Sequence, residues 1–195
     1  MHIFRAFSAI LLITPALAAC SAGPSQNPAP TTVVEERTSM APEPRGESRL
    51  QSAMMRAHNE ARAKVGAPKL VWNAELAKDA AAYAASMART GKFAHDPQPG
   101  RNPRQGENLW MGTRDAYSYG EMAGHWVDED RFFKRGLFPD NSTTGQWGDV
   151  AHYTQIIWPT SERVGCAVAS NASDDFLVCR YSPAGNIVGR DPLQG

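Results

Sequence analysis

The groups able to do chemistry in this 195-residue chain are five histidines, three cysteines and equal numbers of acids and bases, 20 of each. None stands in a short catalytic pattern. There is no HExxH run for a zinc peptidase, no Gly-x-Ser-x-Gly elbow for a serine hydrolase and no glycine loop to cradle phosphate. Gly100 and Gly106 share one loop-like stretch, but their spacing fits no nucleotide-binding pattern. His125 precedes Glu129 by four residues, so the two share a helical face; a rim or solvated position is expected for it. Asp128 and Asp130 flank Glu129 and read as a solvated acidic end. His58 sits beside an apolar helical stripe, where a histidine bonded to nearby backbone is expected. Trp110, Trp126, Trp147 and Trp158 read as core rather than ligand stacks.

Charge excludes one class of partner. A nucleic-acid binder needs a basic stripe to neutralise phosphates, and this chain is formally neutral. The neutrality is not a balance of opposed regions, because residues 48–195 hold 17 bases and 16 acids. With 42% apolar and 21% charged residues the chain is globular in composition.

The first 47 residues belong to export and tethering. Residues 1–19 read as a signal: Arg5 gives a basic start, and Ala6 to Ala19 is a mostly apolar run too short to span a bilayer. It ends Leu17-Ala18-Ala19-Cys20, which resembles the bacterial lipobox, in which the cysteine takes a diacylglycerol and becomes the new N-terminus. Cleavage after Ala18 is the alternative, since Ala16-Leu17-Ala18 also fits a small-x-small site. Lipidated Cys20 would anchor the protein to the membrane of the cell envelope, the outer membrane in a Gram-negative host. Residues 20–47 are rich in Pro, Ser and Ala without periodicity and read as a flexible tether.

Residues 48–195 then form one domain. Ser48-Arg49-Leu50-Gln51 has the pattern of a capping box, and Leu50, Met54, Ala57, Ala61 and Val65 follow at helical spacing until Gly66 and Pro68. A second helix is expected from the N-cap Asn73 to Gly91, a third over about 115–132, and a fourth over 150–158 after Asp149. The period then changes. Arg163 to Ser170 and Phe176 to Tyr181 read as strands, joined by a turn containing Asn171, Ser173, Asp174 and Asp175. Helices first and a hairpin last predict an α+β domain with a small antiparallel sheet.

Five segments carry a family resemblance. Ala151-His152-Tyr153-Thr154-Gln155-Ile156-Ile157-Trp158 resembles the Gly-His-Tyr-Thr-Gln-x-x-Trp motif of the CAP superfamily: cysteine-rich secretory proteins, insect antigen 5 and plant pathogenesis-related class 1 proteins. Ala151 stands where that family usually has glycine. Phe176 to Ile187 resembles the family's second signature along its whole length. Gly106-Glu107-Asn108-Leu109, Trp126-Val127-Asp128-Glu129 and His58-Asn59-Glu60-Ala61-Arg62 resemble three further blocks, in the family's order.

The resemblance implies a three-layer α-β-α sandwich with a surface cleft in which His95, Glu107, Glu129 and His152 converge. Spacing alone would not group them, since gaps of 12, 22 and 23 residues are no metal motif. Such a cluster can satisfy itself as histidine–carboxylate pairs or accept a divalent cation, and two histidines with one or two carboxylates suit zinc with a water in an open position. Tyr153 and Gln155 would add polar contacts at the cleft. The resemblance also implies a disulfide between Cys166 and Cys179, worth about 3 kcal/mol in the chain-entropy account and permitted in an oxidising compartment. Its implied ligands are lipids, sterols or envelope components. The leading expectation is a lipid-anchored binding module of the cell envelope. The alternatives are a metal-dependent hydrolase with Glu107 or Glu129 as general base, and a structural envelope protein with an inert cleft.

Overall fold

The computed structural model describes residues 41–195. The signal reading over 1–19, Cys20 and the tether up to residue 40 lie outside the described residues. Four helices, α1 (Glu47–Lys64), α2 (Ala74–Thr90), α3 (Tyr119–Val127) and α4 (Ala151–Ile157), surround four strands, β1 (Val71–Trp72), β2 (Gly106–Thr113), β3 (Arg163–Ser170) and β4 (Asp174–Ser182).

Local sequence explains α2 fully. Asn73 accepts the Leu76 N–H through its side chain at 2.9 Å, and Gly91 ends the helix in the left-handed region at φ 68°. At α1 the expectation fails. Ser48 does not cap it: the N-cap is Gly46, at φ 132°, with no side-chain bond. The chain is fixed there from outside the helix. Arg45, expected in the tether, pairs with the fully buried Asp175 at 2.6 Å and donates to the Tyr117 carbonyl at 2.8 Å. The third helix is shorter than expected. Asp115 sits at φ 56°, Ser118 and Glu121 form a reciprocal capping box, and after Val127 the chain tightens into a 3-10 turn over Asp128–Phe132. Asp149 does not cap α4; its carboxylate takes the Thr144 hydroxyl at 2.6 Å.

The strands form one sheet in the order β1-β3-β4-β2. The β3–β4 hairpin is as expected, except that Asp174 and Asp175 belong to β4 rather than to the turn. Two strands went unread. β1 has two residues and pairs parallel to β3, so the sheet is mixed. β2 lies where a loop was expected and pairs antiparallel to β4, from Gly106 opposite Tyr181 to Thr113 opposite Asp174. Its buried residues run together rather than alternating, because both faces are covered.

Pleating sends alternate residues to two cores. Cys166, Leu177, Cys179 and Tyr181 pack with Met54 and Ala61 of α1, Met122 and Trp126 of α3, and Ile156 and Ile157 of α4. Leu109, Phe176 and Val178 pack against Ala80, Ala84 and Met87 of α2. The α-β-α sandwich is the result. Cys166 and Cys179 face each other across β3 and β4 and are joined by a disulfide.

Candidate functional site

The four expected cleft residues form two pairs, one from each layer. Glu107 is on β2, in step with Leu109 and so on the α2 side. Its Oε1 accepts His95 Nδ1 at 2.7 Å and the Asp96 N–H at 3.1 Å. Its Oε2 is 2.9 Å from Arg180 Nη2, an ion-pair contact without hydrogen-bond alignment. His95 follows α2 on a connection that Tyr83 pins, its hydroxyl donating to the Ala94 carbonyl at 2.5 Å.

The second pair is built by α4. Nothing local caps this helix, and Glu129 does so from the 3-10 turn after α3. Its Oε2 accepts the N–H groups of His152 and Tyr153 at 2.9 and 3.0 Å, while Oε1 accepts His152 Nδ1 at 2.5 Å. The carboxylate thus serves a helix N-terminus and an imidazole together. The Trp126 ring stacks on His152 at 5.9 Å. Asn108 joins the halves. It follows Glu107 on β2, points to the opposite face, and donates to the His152 carbonyl and the Tyr181 hydroxyl, both at 3.1 Å.

Both histidines therefore have Nδ1 held by a carboxylate, and neither Nε2 has a hydrogen-bond partner among the described residues. Carboxylate-held imidazoles are the form in which histidine binds metals, because the tautomer is fixed and the free nitrogen presented. Yet among the described residues no three His, Cys, Asp or Glu side chains stand close enough to hold an ion. Of the two expected arrangements the described residues show the histidine–carboxylate pairs: both carboxylates act as orienting partners, and the nitrogens without a hydrogen-bond partner among the described residues are the two imidazole Nε2 atoms. A cation there would need water or another ligand to complete its coordination.

The remaining named residues sort clearly. His58 is fully buried; Nδ1 bonds the Met54 carbonyl and Nε2 the Tyr181 hydroxyl, each at 2.7 Å. Burial lowers its pKa to about 4, with the Arg62 charge acting the same way and the Met54 carbonyl against both. His125 is neither in the cleft nor simply solvated: it stacks on Trp110, whose Nε1 donates to its Nδ1 at 2.7 Å. Gln155 is drawn inward, not to the cleft. Its Oε1 accepts the Gly185 N–H at 3.0 Å, and a Cβ at Gly106 or Gly185 would strike its amide. Tyr153 contributes its backbone N–H to Glu129, while its ring is buried against Phe133. Asp128 and Asp130 are exposed as expected. Trp110, Trp126 and Trp158 are core; Trp147 is half-buried against Phe138.

Sequence reasoning passed over Arg180, Asp96, Asn108 and Arg62. The signal for the first was present: Arg180 interrupts the apolar run Phe176 to Tyr181, and a charge inside a doubly covered strand must have partners. Arg62 is fully buried and ties α1 to the end of α4 through the carbonyls of Ile156 and Trp158, both at 2.8 Å.

Comparison with known proteins agrees with this architecture. Residues 55–181 match the model of the CAP family, described as the cysteine-rich secretory protein family. Pathogenesis-related protein 1C of Nicotiana tabacum is 34% identical over 143 residues, covering 73% of this chain and 80% of the relative. A PR-1 type pathogenesis-related protein of Sambucus nigra is 36% identical over 138 residues, covering 70% and 77%. Among solved structures, NaASP2 with Zn2+ superposes with a TM-score of 0.60 at 24% identity, over 75% of this chain and 85% of that one. Venom allergen-like protein 4 of Schistosoma mansoni gives 0.52 at 23% identity, over 68% and 87%. The chain belongs to the CAP family.

Proposed function

We propose that this protein is an exported CAP-domain binding module, lipid-anchored through Cys20 to a bacterial cell envelope, whose cleft takes up a divalent cation on His95 and His152. The observation that carries the reading is the pairing itself: each imidazole is oriented by its own carboxylate and keeps Nε2 free of partners among the described residues. Zinc suits imidazole donors, and one structural neighbour was solved with Zn2+. The remaining positions would be open to water or to a polar group of an envelope ligand. Lipids, sterols and wall components are the candidates, and the cation would help to orient them.

Binding is favoured over hydrolysis by how the carboxylates are used. Glu107 Oε1 is committed to His95 and the Asp96 N–H, and its Oε2 is buried beside Arg180, out of reach of water; Glu129 is committed to His152 and two helix N–H groups. A general base needs a lone pair free for water. For the anchor, Leu17-Ala18-Ala19-Cys20 supplies the acylation pattern.

Zinc titration calorimetry tests the cleft. The wild type should bind, and His95→Ala and His152→Ala should each weaken binding by roughly tenfold or more. A wild type silent at micromolar zinc would remove the cation from the reading. Digestion of a peptide library, lost in Glu107→Gln, would establish the hydrolase instead. Mass spectrometry of the mature N-terminus should find acylated Cys20; an unmodified Ala19 terminus would mean release from the membrane.

A further inference from the structure

A cavity of about 230 Å3 opens between α2, the connection that follows it, and β4. It is lined by Asp79, Ala82, Tyr83, Asp96, Arg101 and Arg180. The first three share one face of α2. Arg180 is the buried member, its side chain 1% exposed. Its Nη2 meets both neighbouring carboxylates, Asp96 at 2.6 Å and Glu107 at 2.9 Å, while Nε is buried with no acceptor among the described residues. A guanidinium has five N–H donors; here the protein directs its acceptors to one nitrogen. Nearer solvent, Arg101 and Asp79 pair at 3.0 Å with side chains 40% and 32% exposed. A pair so exposed is weak and exchanges partners easily; Gln105 Nε2 also donates to Asp79 Oδ2 at 2.7 Å, and Oδ1 has no hydrogen-bond partner among the described residues.

We propose that this cavity is a binding site for a small zwitterion of the free α-amino-acid class, its carboxylate on the Arg180–Arg101 side and its ammonium on Asp79. Charge selects the class. Two arginines and two aspartates line the space, so a plain anion or cation meets repulsion as well as attraction, whereas a zwitterion finds an opposite charge at each end. Asp96 is not free to bind the ammonium. Its Oδ1 accepts the Gln98 N–H at 2.9 Å and its Oδ2 the Arg180 guanidinium at 2.6 Å, so both oxygens are already engaged. Size agrees: at about 230 Å3 the open groove lies below the range of pockets for drug-sized ligands. The cavity adjoins the His95–Glu107 pair through Arg180 and Asp96, so the test is made with the cleft free of metal.

The test is calorimetry on the full-length protein, with chelator present so that the cleft carries no metal. The titrants are the standard amino acids and the two half-ligands, acetate and methylammonium. At least one amino acid should bind with a Kd of about 1 mM or tighter, and each half-ligand roughly tenfold or more weaker. Asp79→Asn and Arg101→Gln, both changes at the exposed side, should weaken amino-acid binding by about tenfold or more while leaving the melting temperature unchanged. Three results would overturn the proposal: no heat from any amino acid at about 10 mM, acetate binding as tightly as the best amino acid, or either variant binding as the wild type does.

Discussion

Replacing Glu129 by alanine should destabilise the whole domain, because the cleft carboxylate is also the N-terminal cap of α4. Three bonds are lost: the His152 and Tyr153 N–H groups on Oε2 and the His152 ring on Oε1. Loss of a strong cap costs up to about 2 kcal/mol, and a charge-assisted bond to a partly exposed imidazole about 1 kcal/mol more. The side chains are 16% and 20% exposed, so water replaces these contacts only in part. A total of about 3 kcal/mol corresponds to a drop in Tm of roughly 6–12 °C for a domain of this size. Glutamine keeps one acceptor oxygen, which can serve the helix or the ring but not both, and should lose about half as much. Thermal melts of Glu129→Ala and Glu129→Gln at neutral pH measure this, with Glu162→Ala as the control, since that side chain is 66% exposed in a loose 3.8 Å pair. Hydrogen exchange at the Tyr153 amide should quicken first. If Glu129→Ala melts together with the Glu162 control, the capping role is wrong and the carboxylate belongs to the cleft alone.

Three other outcomes are expected. His58, with its pKa lowered to about 4 inside the fold, is protonated in the unfolded chain below about 6.5 but not in the native one; the unfolded state therefore binds the extra proton, and stability falls as pH drops from about 6.5 to about 4, by roughly 3 kcal/mol in total. Chemical denaturation across that range should show a shallower acid dependence in His58→Gln, and an identical slope would refute the assignment. Reducing the Cys166–Cys179 bond, or replacing both by serine, should cost about 3 kcal/mol in urea denaturation; equal midpoints in oxidised and reduced protein would show that the bond adds nothing. Gly165→Ala should cost about 1–3 kcal/mol, because the added Cβ runs into the backbone of α2 at Ala77 and of its N-cap Asn73. Unchanged stability would mean that α2 is not pressed against β3 at that point.

What the sequence could specify was local or carried by family motifs. Asn73 and Gly91 bound α2 because a cap acts within three or four residues of itself. The β3–β4 hairpin was legible for the same reason, as were His58 and most of the tryptophan core. The CAP motifs named the four residues that form the two histidine–carboxylate pairs. The misreadings have one physical cause, dependence on distant chain. Ser48 had the right pattern for a cap, but the start of α1 is set by Arg45 reaching Asp175, 130 residues away. β2 did not look like a strand because α2 covers one face and α1, α3 and α4 the other, removing the alternation that marks a half-buried strand.

The same division holds at the site. Sequence supplied two histidines, two acids and the possibility of histidine–carboxylate pairs, but not which acid holds which histidine. His95 pairs with Glu107 because β2 lies beside β4 in a register that places Glu107 opposite Arg180. Glu129 pairs with His152 because α4 lacks a cap of its own and takes one from the turn after α3. Pleating then sends Glu107 and Asn108 to opposite faces, so one dipeptide touches both pairs. Residue identity determined which groups can carry protons or bind metal. Only the stacking of helices on both faces of the sheet decided that the carboxylates would be spent holding the imidazoles.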